Sequence, residues 1–232
     1  MNISINPSYF CNFRCDFCYL TEEQLSDTKK IDLDQLDNLL SQVPNITYID
    51  LYGGEIGALK KDYFYEMKRV IKKHYDGKIN IITNFSMLHE GFFDDDITLS
   101  VSYDWEAREK YNKVYENILL SPVPVSVLIL AGPKVLELDV DGFITSMNLC
   151  ANVRSVEIKP YSTNQANNHR VTHIDFENYV KKWIESPIPK RFEFVNENYL
   201  NDVLDGTRNA FSDDHIYICL LYTSPSPRDA TL

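Results

Sequence analysis

Six short apolar runs at strand spacing recur along this chain, all but the third followed by apolar residues at helical spacing, and no other feature constrains the fold as strongly. Ile3 and Ile5 open the first run. Leu33, Leu36, Leu40 and Val43 then recur three and four apart, the spacing of one helix face, until Pro44 stops them. Residues 48–52 read as a second strand ending at Gly53-Gly54, and Phe64, Met67, Val70 and Ile71 mark a helix closed by the Asp76-Gly77 turn. Strands are predicted at 79–83, 97–103, 123–130 and 153–159. Helices between and after them carry Ala107, Tyr111, Val114 and Ile118, then 135–149, then Phe176, Tyr179, Val180, Trp183 and Ile184, with Asp175 as the cap of the last. The run 123–130 is apolar enough to be covered on both faces. Such alternation predicts an α/β fold with a parallel sheet and right-handed crossovers, as an open sheet or a partial barrel. In both, chemistry collects beyond the carboxyl ends of the strands.

Immediately after the first strand stand Cys11, Cys15 and Cys18. Three thiolates this close repel one another unless a shared soft cation offsets their charge, so the loop asks for a soft metal or an iron–sulfur cluster. Disulfides between such near neighbours are sterically awkward, which favours a reducing compartment. The other two of the five cysteines do not join this group: Cys150 reads as an ordinary buried thiol, and Cys219 lies in a suspect tail.

The 232 residues suffice for one sizeable core, so a single domain is expected. A net charge of −11 disfavours long nucleic acid, whose binders present a basic stripe. No run reaches the roughly 18 apolar residues that span a bilayer, and the N-terminus lacks the regions of a signal peptide, so a cytoplasmic location and no membrane partner are expected. The five histidines show no ligand spacing and read as structural or exposed.

After the second strand come Gly53, Gly54 and Glu55. Two glycines let backbone approach a ligand with no Cβ in the way, and the carboxylate can receive an ammonium; an ordinary turn would look the same.

Together these motifs resemble those of the radical S-adenosylmethionine (radical SAM) enzymes. That family places C-x3-C-x2-C after its first strand, with an aromatic residue before the third cysteine, and here Cys11, Cys15, Cys18 and Phe17 fit. A Gly-Gly-Glu motif follows its second strand, matched by Gly53, Gly54 and Glu55, and the similarity spans residues 2–185. The resemblance implies a partial (β/α)6 TIM-like barrel as a core over 1–218. It implies a [4Fe-4S] cluster on the three cysteines, with the fourth iron left for S-adenosylmethionine. It further implies reductive cleavage of that cofactor to a 5′-deoxyadenosyl radical, and an electron donor such as flavodoxin or ferredoxin. Glu55 and the glycines would hold the methionine ammonium, and Phe17 would stack on adenine. Thr83, Asn84, Ser102 and Asp104 stand where the family places polar groups for the ribose and methionine carboxylate, and would serve equally as strand-end caps. The segment 128–132 loosely matches its fifth-strand motif. Arg108 can be read as a carboxylate ligand but fits a solvated surface better.

The segment 159–169 is dense in amides and hydroxyls, and Lys159, Tyr161 and Asn164 are candidates for a substrate or adenine site, although a solvated loop has the same composition. The substrate stays open among small molecules, nucleotides and peptides. A non-catalytic iron–sulfur electron-transfer protein is the alternative reading; a structural zinc module would need a fourth ligand nearby.

Residues 219–229 resemble the translation of a sequencing adapter, so 219–232 is expected to be a non-native tail. The five residues before it, 214–218, read as the start of a strand whose partners are lost with the true C-terminus.

Overall fold

The computed structural model describes residues 1–161 and 170–206 in full, and the backbone of 215–219 and 223–225. The six expected strands form as β1 (Asn2–Asn6), β2 (Tyr48–Leu51), β3 (Ile79–Thr83), β4 (Ile97–Ser102), β5 (Val125–Leu130) and β6 (Val153–Lys159). Each pairs in parallel with the next, so they lie in chain order. Each crossover carries an α-helix except that from β3 to β4, which has only the 3-10 turn Glu90–Phe93, and the architecture is a partial (β/α)6 barrel.

The strands bury one face completely. Ile3, Ile5, Ile49, Leu51, Ile79, Ile81, Leu99, Val101, Val125, Val127, Ile129, Val156 and Ile158 are buried in one apolar cluster with the helices. Those helices include α2 (Leu33–Ser41), α3 (Lys61–Lys72), α4 (Tyr111–Leu119) and α6 (Val140–Leu149); the short α1 (Glu22–Ser26) and α5 (Pro133–Leu136) complete the set up to β6.

The opposite face is polar. Pairing aligns Ser4 with Asp50, Asp50 with Asn80 and Asn80 with Thr98, and a layer further on it aligns Ser100 with Ser126 and Ser126 with Ser155. The hydroxyls of Thr98 and Ser100 donate to Asn80 Oδ1 at 3.3 and 3.0 Å, and Ser155 donates to Ser126 at 2.8 Å. This is the concave side: Lys159 and Glu157 on β6 act electrostatically on Asp50 and Tyr48 of β2, although three strands separate β2 from β6 in the sheet. The expectation that 123–130 is covered on both faces is therefore corrected, because Ser126, Leu128 and Leu130 are only half-buried on the concave side.

Other boundaries shift for local reasons. Ala107 lies in a 3-10 turn, Trp105–Ala107, and Lys110 at φ 52° interrupts the chain before α4 begins. The helix expected over 135–149 breaks after α5, and Asp139 caps α6 by accepting from Gly142 N at 3.1 Å. The cap of α7 (His173–Glu185) is Thr172, and Asp175 closes the capping box from the third helical position. The sequence reading missed α1, a two-residue strand β7 (Glu193–Phe194) beside β6, and α8 (Val195–Leu204). Asn196 on α8 extends that edge, accepting from Ile158 N at 2.7 Å and donating to Ile158 O at 2.8 Å.

At the other edge, β8 (His215–Cys219) pairs in parallel with β1, and β9 (Thr223–Pro225) pairs antiparallel with β8. The strand expected near 214–218 thus has a partner in this chain, β1. No helix among the described residues is long and apolar enough to cross a membrane.

Candidate cofactor site at the strand ends

The loop after β1 is held from several sides. Ser8 O accepts from Gly54 N at 3.0 Å and Phe10 O from Glu55 N at 2.7 Å, which ties the loop to the end of β2. Cys11 N donates to Leu25 O on α1 at 3.0 Å, and Cys18 N to Cys15 O at 3.0 Å. Arg14 clamps the turn, donating to Cys11 O, Phe13 O and Ser26 Oγ at 2.7, 2.9 and 3.1 Å.

The thiols receive donors suited to thiolates. Phe13 N reaches Cys11 Sγ at 3.4 Å, Leu20 N reaches Cys18 Sγ at 3.4 Å, Asn84 Nδ2 lies 3.8 Å from Cys11 Sγ, and an Arg108 Nη lies 4.0 Å from Cys15 Sγ. Burial nevertheless pushes all three thiols up, Cys15 to about 12 even with Arg108 opposing. Thiols held this way become thiolates only when a bound cation supplies the missing stabilisation. Among the described residues no three His, Cys, Asp or Glu side chains converge on one ion. Three soft donors from one loop, each able to take a different iron, fit by their chemistry a [4Fe-4S] centre with three protein ligands.

Gly53 and Gly54 permit a close approach, but what approaches is this chain. A Cβ on Gly54 would stand 2.0 Å from Phe10 O and 2.4 Å from Tyr9 O; one on Gly53, at φ +151°, would stand 2.1 Å from Asn6 Oδ1. The pair lets the cysteine loop cross the end of β2.

Glu55, 2 % exposed, ties β2 to β3. Its Oε1 accepts from the Thr83 hydroxyl and from Gly57 N at 2.7 Å, and Oε2 from Asn84 N at 2.7 Å. Burial raises its pKa, with these donors opposing. Thr83 and Asn84 are thus engaged, Thr83 by Glu55, and Asn84 by Asn12 Oδ1 at 2.9 Å and by Cys11. Ser102, half-buried at the end of β4, makes no side-chain hydrogen bond among the described residues.

Arg108 is the main correction. It is 8 % exposed, not a solvated surface residue, and the carboxylate it reaches is Asp104, which is fully buried. Its Nε and one Nη donate to Asp104 Oδ2 at 2.9 and 2.7 Å, while Asp104 Oδ1 accepts from Leu130 N at 2.7 Å. Its guanidinium lies 5.1 Å from the centroid of the Phe17 ring. The signal for this role was faint, an Asp and an Arg four residues apart that a helical reading leaves in solvent.

Phe17 borders a narrow apolar cleft of about 40 Å³ with Ala107, Gly132, Pro133 and Val135, and Lys134 pairs with Asp16 across its rim at 2.6 Å. Tyr161 is buried beside Gly132. Lys159 pairs with Glu157 on the concave face, and Asn164 lies outside the described residues. Three phenols not anticipated, Tyr9, Tyr19 and Tyr52, gather beside Cys18. Cys150 is 3 % exposed, as expected of a core thiol.

No protein-family model matches this sequence, and no curated protein matches it. Solved structures do. SuiB of Streptococcus suis bound to the precursor peptide SuiA superposes with TM-score 0.66 at 13 % identity, over 94 % of this chain and 57 % of that one. Native anSMEcpe with bound AdoMet gives TM-score 0.62 at 12 % identity, over 91 % of this chain and 68 % of that one. Its complex with AdoMet and a peptide gives 0.55 at 14 % identity, over 89 % and 62 %. The chain therefore spans little more than half of SuiB. The fold expected from the sequence, a partial (β/α)6 barrel, is thus shared with solved structures that include AdoMet-bound proteins.

Proposed function

We propose that the chain is a radical SAM enzyme whose Cys11, Cys15 and Cys18 hold a [4Fe-4S] cluster and whose strand ends bind S-adenosylmethionine. The observation that carries this reading is the placement of three half-buried thiols, each pushed up by desolvation, against the Glu55 turn, on a barrel similar to proteins solved with that cofactor. When bound, cluster and cofactor together supply, on one-electron reduction, a 5′-deoxyadenosyl radical able to take hydrogen from a substrate.

The chain's own groups divide the remaining work. A carboxylate oxygen accepts two hydrogen bonds, so Glu55 Oε2, which has taken only Asn84 N, keeps a lone pair for the methionine ammonium. Phe17 and the apolar wall of Gly132, Pro133 and Val135 offer adenine a flat surface. The Ser102 hydroxyl is open to the ribose or the methionine carboxylate. Lys159 and Tyr161 would meet the substrate, and with them Asn164, which lies outside the described residues. Among the substrate classes a peptide has the added support that SuiB and anSMEcpe were each solved with one. An electron donor such as flavodoxin or ferredoxin would deliver the electron.

Anaerobic reconstitution with iron and sulfide, then dithionite and S-adenosylmethionine, tests the proposal. It expects about four irons per chain and release of 5′-deoxyadenosine. A chain that takes up no iron, or that holds iron and leaves the cofactor intact, overturns it; reversible redox without cleavage would favour the electron-carrier alternative.

A further inference from the structure

Arg108 has hydrogen-bonding capacity that its salt bridge does not use. Asp104 gives it a single oxygen, Oδ2, because Oδ1 is taken by Leu130 N. The remaining Nη points to Cys15 Sγ at 4.0 Å, and the guanidinium carbon lies 5.1 Å from the Phe17 ring centroid. An ion pair this dry is a poor stability device, since well-packed apolar residues commonly do as well. A guanidinium stays charged at every accessible pH, and a donor or cation beside a ligand sulfur stabilises the more negative, reduced state of an iron–sulfur centre.

Resting on the reading above, we propose that Arg108 is a positioning residue that acts through Cys15. It sets a fixed positive charge against that sulfur and so raises the reduction potential of the cluster, while Asp104 holds it there and attenuates it. Other charges around the loop include Arg14, which acts on Cys18, Glu55, which acts on Cys11, Asp16, which acts on Asp104 and pairs with Lys134, Glu109, which accepts from Arg14 N, and Lys110, which lies over the Phe13 ring. Among the described residues Arg108 is the cation whose donor reaches the sulfur of one of the three loop cysteines.

The proposal fixes opposite signs for the two members of the pair. In Arg108→Gln the reduced-to-oxidised ratio at a fixed applied potential should fall by about tenfold, equivalent to about 59 mV for a one-electron couple. In Asp104→Asn, where the guanidinium is no longer offset, it should rise. Arg108→Lys, which keeps the charge without the fork, should lie between wild type and Arg108→Gln.

The experiment is a redox titration of the anaerobically reconstituted full chain and its variants, followed by the electron paramagnetic resonance signal of the reduced cluster, with iron counted in each. A wild type without iron defeats the functional reading and this inference with it. A loaded wild type whose loaded variants do not shift, or shift in one direction, defeats the inference alone. If Arg108→Gln fails to load, Asp104→Asn decides: an upward shift supports the proposal and any other result overturns it. If neither variant loads, the pair serves to assemble the loop, and the proposal is wrong.

Discussion

Asp50→Asn removes a charge that the fold disfavours at neutral pH. Asp50 is 7 % exposed on the polar face of β2, and its Oδ1 has no hydrogen-bond partner among the described residues. Burial raises its pKa from 3.8 to about 6, with the Ser4 hydroxyl and the field of Lys159 opposing. A rise of roughly two units corresponds to roughly 3 kcal/mol of differential interaction between protonated and charged forms. Because the folded value lies above the unfolded one, the carboxyl's contribution is complete below about pH 4 and is lost as pH rises through about 6. The asparagine amide does not titrate, so its own unmatched donors shift the absolute stability but not its pH dependence. Paired thermal melts of wild type and Asp50→Asn from pH 4 to 8 therefore isolate the carboxyl, since every other group cancels. At about 2–4 °C per kcal/mol for a chain of this size, the gap in Tm should move by roughly 6–12 °C in favour of the variant across that range. A gap that stays constant would mean that Asp50 is hydrated and not desolvated. A gap that moves the other way would mean that the charge of Lys159 outweighs burial.

Three further substitutions separate holding the loop from holding a ligand. Cys15→Ala should abolish cluster assembly, read as iron per chain falling from about four toward zero after reconstitution, because two thiolates leave a second iron without a protein ligand. Glu55→Ala leaves three buried donors, the Thr83 hydroxyl and the Gly57 and Asn84 amides, without an acceptor; at about 1–3 kcal/mol each the apo chain should lose roughly 3 kcal/mol or more in a urea melt. Unchanged stability would mean that those donors find water. Gly54→Ala places a Cβ 2.0 Å from Phe10 O, and since that contact is backbone it should cost more than about 4 kcal/mol and reduce iron uptake with it.

Periodic segments were legible from the sequence, and residues defined by contacts across the fold were not. Strands 79–83 and 153–159 form with the bounds their apolar alternation predicts. The region 104–110 does not read as it folds, because a 3-10 turn and a left-handed Lys110 leave no periodic trace. Arg108 looks like an exposed helical arginine only until the fold brings it to Cys15, 93 residues away in the chain. The polar face was visible as alternate Ser, Asp and Asn residues in β1 to β4, but an apolar reading of β5 obscured it, since Leu128 and Leu130 sit half-buried on that same side.

The residues singled out as ligands are largely one another's partners. Glu55 is engaged by Thr83 and Asn84, Asn84 by the cysteine loop, and Asp104 by Arg108. A motif pattern reports that these residue types recur together without distinguishing a group that touches the cofactor from one that braces its neighbour. Unspent hydrogen-bonding capacity makes that distinction. By this criterion, and on the function proposed above, the second lone pair of Glu55 Oε2 and the hydroxyl of Ser102, both unengaged among the described residues, would meet the cofactor, whereas Thr83 and Asp104 would brace them. Ser102→Ala should accordingly weaken S-adenosylmethionine binding to the reconstituted chain while leaving its iron content and Tm unchanged, and a loss of iron or stability instead would place Ser102 among the bracing residues.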